Sequence, residues 1–184
     1  MDYTLTPHNV QTQLAAIRAR AHAVTDGLDG TALNWQPREG RAWSIAQCLH
    51  HLALTSDLYA DALEAAIAQA PARAATTPMR PNLLGRWFIW VIEPPNVVKA
   101  PARKDLMPPS EFGVAAVRCH FESSLDRLAQ IATRAMAVDA EQARYKNPLA
   151  NGSTLFNVVT GVMVMLAHNR RHLGQAERVR AGLP

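Results

Sequence analysis

Eight of the twelve prolines in this 184-residue chain lie between residues 71 and 109: Pro71, Pro78, Pro81, Pro94, Pro95, Pro101, Pro108 and Pro109. Proline has no N–H to give a helix interior, and its ring clashes with the preceding turn. Long helices are therefore confined to the two flanking stretches, and both carry the apolar period of a helix. The first pattern opens at Thr6-Pro7, an N-cap followed by a first-turn proline, and runs through Val10, Leu14, Ile17, Ala21 and Val24 to a "DGLDG" stop. "TALNWQPREGRAW" reads as a loop. A second helix opens at Ser44, where Ser44 and Gln47 spell a capping box and Trp43 is placed to staple the start. Ile45, Cys48, Leu49, Leu52, Leu58 and Leu63 continue it to about Gln69.

Beyond the prolines, a third helix is expected from Ser110, striped by Val114, Val117, Phe121, Leu125, Leu128 and Ile131. A fourth is expected from about Ser153 to Arg180, with Leu155, Val158, Val162, Met165, Leu166, Leu173 and Val179 on its apolar side. Inside the proline-dense stretch, "NLLGRWFIWVIEPPNVV" is too apolar for a solvated linker and predicts a short helix or extended turn packed across the bundle. The expected fold is all-α: a four-helix bundle in one domain over residues 1–184, with 71–109 as a long connection between its second and third helices.

Composition narrows the functional classes. Hydrophobic residues are 48% and charged residues 18%, a folded globular balance. A net charge of +4, scattered along the chain, argues against nucleic acid as a partner. Cys48 and Cys119 sit in apolar helical patterns, without metal or redox spacing, and are expected to be buried thiols in a reducing compartment. The N-terminus lacks a secretory pattern, and "RWFIWVIEPP" is far short of a membrane span, so a cytoplasmic location is expected.

Seven histidines carry the chemistry: His8, His22, His50, His51, His120, His168 and His172. His168 and His172 are four apart, so their imidazoles share a helix face and can converge on one metal ion. The spacing alone is a weak motif, equally served by two hydrogen-bonded, partly buried histidines, and it lacks the Glu of a zincin. Both border the core-facing stripe of their helix. His51 borders the stripe of the second helix and is the best third ligand. His50 is rotated away, His120 reads as a satisfied core histidine or a fourth ligand, and His8 and His22 read as surface residues.

"GRAWSIAQCLHHLALTSDLY" resembles the second-helix entry of the DinB-like (DinB/YfiT) superfamily, with Trp43-Ser44-Ile45 and a histidine, His51, eight residues after the tryptophan. "AHNRRHLGQAERVR" is similar to that superfamily's closing H-x-x-x-H-L-x-Q helix, here His168, His172, Leu173 and Gln175. The resemblance implies a bundle holding a divalent metal, Zn²⁺ or Ni²⁺, on His51, His168 and His172. It also implies a position left open for a ligand, since three imidazoles do not close a tetrahedral site. Characterised relatives include S-transferases and isomerases that use low-molecular-weight thiols such as bacillithiol or mycothiol, so a thiol and an electrophile are the implied partners. Homodimers are common among relatives, and a homodimer is expected here.

Around the triad, Asn169 and Gln175 are placed to orient imidazole N–H groups. Arg170 and Arg171 suit either an anionic substrate or, more simply, the dipole and outer face of the last helix. Glu177 reads as a surface residue. Trp35, Trp43, Trp87 and Trp90 are candidates to line a pocket, with Trp87 and Trp90 over its mouth. No general base or substrate signature stands out. The enzyme reading therefore competes with a non-catalytic metal- or small-molecule-binding module for stress response or sensing, and with "RWFIWVIEPP" as a partner or membrane contact.

Overall fold

The computed structural model describes residues 2–73, 77–95 and 106–184. The end of the apolar stretch, 96–98, and Pro101 lie outside the described residues. Among the described residues six α-helices follow one another: α1 (Pro7–Thr25), α2 (Gly30–Asn34), α3 (Ile45–Ala68), α4 (Leu83–Ile92), α5 (Val114–Met136) and α6 (Val158–Arg180). The four long ones, α1, α3, α5 and α6, form the bundle, with α3 against α5 and α6, and α1 closing the other side against the same two. Their striped residues meet in the core, including Leu14 and Ile17, Leu49 and Leu52, Phe121 and Leu125, and Val162 and Leu166. At the other end of α3, a Cβ on Gly161 would collide with Leu63, so glycine lets the first turn of α6 lie directly on α3.

The expected starts of α1 and α3 are where the structure places them. Thr6 Oγ1 accepts from the Asn9 N–H at 3.2 Å. The capping box is complete: the Gln47 N–H donates to Ser44 Oγ at 3.1 Å, and the Ser44 N–H donates to Gln47 Oε1 at 2.8 Å. This box fixes the phase of α3, and with it the side on which His51 emerges.

Four expectations are corrected. The stretch read as a loop contains the short helix α2, capped by Asp29. α5 begins at Val114 rather than Ser110 because the Asn34 side chain holds Phe112 by both its N–H and its C=O, at 3.1 and 3.0 Å. α6 begins at Val158 rather than Ser153. Asn157 caps it by accepting from the Thr160 N–H at 2.9 Å, while the preceding residues are drawn into bridges with 144–147. Leu155 is consequently exposed instead of buried. Cys119 is exposed as well, because it lies about 200° round α5 from the buried Val117; Cys48 is buried as expected.

The proline-dense connection does carry a packed helix. α4 lies on α6, with Gly85 and Ile89 buried and Phe88 against Phe156 at 5.3 Å. No helix among the described residues is long and apolar enough to cross a membrane.

Candidate metal centre

His51 leaves α3 two turns after the capping box and is buried. His168 and His172 leave successive turns of α6 on the side facing it. The three rings close a triangle, with centroids 4.6 Å apart for His168–His172, 4.8 Å for His51–His172 and 5.3 Å for His51–His168. One nitrogen from each lies within 4.8 Å of those of the other two.

Two of the rings have their tautomer set by an oxygen. Nδ1 of His51 is 3.2 Å from the Leu106 carbonyl, and Nδ1 of His172 is 3.1 Å from Gln175 Oε1. A carbonyl oxygen can only accept, so each Nδ1 carries the proton and each Nε2 keeps its lone pair. Nδ1 of His168 is buried with no hydrogen-bond partner among the described residues. All three rings are held neutral. Burial is the main cause for each: it lowers His51 against an opposing hydrogen bond from Leu106, takes His168 well below its ordinary value, and takes His172 down to about 3. The neighbouring histidines and Arg171 push His168 and His172 further in the same direction. Three neutral, converging imidazoles with free lone pairs are a donor set that fits a divalent ion of the borderline type.

Trp43, expected to staple the start of α3, lays its ring on the site: 4.8 Å from His51 and stacked on His172 at 5.8 Å. Gln175 is where the sequence placed it, on an imidazole. Asn169 is not. It is fully buried and donates from Nδ2 to the Met165 carbonyl at 2.9 Å, and its Oδ1 has no hydrogen-bond partner among the described residues.

The two arginines between the ligands do not solvate an outer face. Arg170 is clamped to Glu93 at 2.6 and 2.7 Å, with both side chains nearly buried, and donates to Gln13 at 2.5 Å. Arg171 donates to the Ile92 carbonyl at 3.5 Å. Both arginines thus tie the end of α4 to the helix that carries two of the histidines. Trp87 and Trp90 are largely exposed on α4, and among the described residues no ring contact is seen between either and the triad. Trp35 is half-buried against the core.

The remaining polar residues stand elsewhere. His120 is neither a core histidine nor a fourth ligand: its Nε2 pairs with Asp57 at 2.7 Å, partly exposed between α3 and α5, and its ring lies 6.1 Å from that of His50. His8 and His22 are exposed. Glu177 pairs with Arg20 of α1 at 2.7 Å.

Sequence reasoning missed Leu106 and Glu93. Leu106 acts through its backbone carbonyl, which no side-chain pattern marks. The available signal for Glu93 was a lone acid at the end of an apolar run.

Residues 13–176 match the family model described as DinB superfamily, a span that contains all three histidines. No curated protein and no solved structure matches the chain.

Proposed function

The chain belongs to the DinB superfamily, and on that premise we propose that it binds a divalent metal ion, zinc or nickel, through His51, His168 and His172. We further propose that it uses the ion to present a low-molecular-weight thiol to an electrophile, in S-transfer or isomerisation. The observation that carries the reading is the convergence of three neutral imidazole nitrogens within 4.8 Å. Three protein ligands leave room for an exogenous one, and a divalent ion held there supplies Lewis acidity that favours thiolate over thiol near neutral pH.

The chain's own residues prepare that site. Leu106 and Gln175 hold the protons of His51 and His172 on Nδ1, which points the other nitrogen inward. Trp43 covers one face of the pair and keeps water from it. The Arg170–Glu93 clamp holds the end of α4 beside the ligand helix.

A second reading, a metal-binding module without catalysis, draws on a different observation. Among the described residues, no carboxylate or thiol joins the three histidines of the cluster, so no general base stands with them.

Elemental analysis of untagged protein is expected to give about one divalent ion per chain, lost in His51→Ala and in His172→Ala. Absence of any ion, even after reconstitution, removes both readings. With the ion present, a screen of thiols against electrophiles separates them. Turnover that disappears in His51→Ala supports the enzyme, and a loaded protein inert across the screen supports the module.

A further inference from the structure

α4 has two dissimilar faces. Its inner face is committed to the bundle: Gly85 and Ile89 are buried, and a Cβ on Gly85 would collide with the Thr160 side chain. Its outer face is Leu83, Trp87 and Trp90 in one stripe, with Leu84 beside it; they are 81%, 59%, 60% and 42% exposed. Leu155, 62% exposed, adjoins the start of this helix, where Asn82 Nδ2 donates to its carbonyl at 2.6 Å. The inner face holds the helix in place beneath these exposed side chains. Contiguous apolar surface of this kind marks an interaction site.

The charge around the stripe is positive. Arg86, on α4 itself, is exposed and forms no ion pair among the described residues. Arg144 donates to the Leu155 carbonyl at 3.0 Å, which brings a second cation to the edge. The acid at the end of α4, Glu93, is already neutralised by Arg170. Among the described residues, acids approach at Arg80: the Glu141 carboxylate accepts from its N–H at 2.7 Å, and Asp2 feels its charge.

A second copy of the chain fits this surface poorly. The stripe offers on the order of 500 Å² per copy, below the ~800 Å² a side that stable interfaces use, and facing copies would set like charges together. Tryptophan and leucine on one helix face, beside Arg86 and Arg144, suit an interface that is apolar below and anionic at its surface. At ten residues the helix is about 15 Å long, so it can lie in such an interface but not cross it.

We propose that the outer face of α4 docks this protein on the surface of an anionic lipid bilayer, with Trp87 and Trp90 at headgroup depth and Arg86 and Arg144 toward the acidic headgroups. The docking stands apart from the metal centre, whose ligands the test leaves intact.

The test is co-sedimentation of the full chain with phosphatidylcholine vesicles, with and without phosphatidylglycerol, at low and high salt. Binding is expected only to the anionic vesicles, with a blue-shifted tryptophan emission, and is expected to weaken as salt screens the charges. Arg86→Gln should weaken partition about fivefold. The double variant Trp87→Ser/Trp90→Ser should lose at least about tenfold. Both variants alter exposed side chains, and an unchanged helical circular dichroism spectrum shows that the fold is retained. Equal binding to neutral vesicles overturns the assignment of an anionic surface. No binding to either vesicle overturns the proposal, as does a dimer that the double variant dissolves into monomers.

Discussion

Gln175 is a small polar side chain whose one task is legible in a distance, 3.1 Å from its amide oxygen to Nδ1 of His172. Removing that acceptor frees the ring to rotate or to take the other tautomer, so Gln175→Leu is expected to weaken metal binding by about tenfold to a hundredfold. Gln175→Glu keeps an acceptor and should retain most of the affinity. Competition with a chromogenic chelator measures both, and equal affinity in the leucine variant would show that the hydrogen bond is idle. Gln175 was visible in the sequence because it lies three residues from its partner on one helix. Leu106 was not, because it meets His51 across 55 positions and through a group that every residue possesses. Asn169 shows the opposite failure. Adjacency to His168 suggested a contact, but one step along a helix turns a side chain by about 100°, and Asn169 points into the core.

At the scale of elements, the join between α4 and α6 decides how the connection sits on the ligand helix. Gly85→Ala places a methyl group into the Thr160 side chain, and helix propensity alone would favour the change. The clash should win, lowering stability by about 1–3 kcal/mol. A variant as stable as the parent would mean that α4 can shift without cost. At the other end of the helix, Glu93→Gln leaves the Arg170 guanidinium without its counter-charge in a site where the two side chains are only 13% and 11% exposed. Its expected cost is about 2–3 kcal/mol, at or just below the low end for buried pairs because water still reaches both. Denaturant midpoints at constant slope would report both losses. The capping residues made the starts of α1 and α3 readable. The starts of α5 and α6 were missed because Asn34 and Asn157 impose them, through bonds to distant backbone in the first case and by capping a loop tied to 144–147 in the second.

The whole molecule carries the cost of keeping three imidazoles neutral inside it. Their folded pKa values lie below the ordinary 6.5, that of His172 at about 3. Between those limits the unfolded chain takes up protons that the folded chain refuses. Stability therefore rises with pH across that window and is lost as the pH falls through it. Metal-free protein should show a melting temperature that drops between about pH 7 and about pH 4, with a shallower slope in His172→Gln. A flat profile in the parent would contradict neutral burial. At neutral pH, added zinc or nickel should raise the melting temperature as its concentration passes the dissociation constant, with a stabilisation of about 2.7 kcal/mol at a hundred times that constant.

The apolar period and the capping pattern, both local properties, were enough to determine four long helices, and the two histidine motifs at fixed spacing were enough to identify the family. Each histidine could be placed on a helix face because a helix converts sequence spacing into direction. Tertiary structure alone decided what those faces meet: Trp43 stacked on His172, the Leu106 carbonyl behind His51, the Arg170–Glu93 clamp, and an α4 whose tryptophans are largely exposed. These depend on which segments lie together after the chain has turned several times, and that juxtaposition leaves no mark in any short window of sequence.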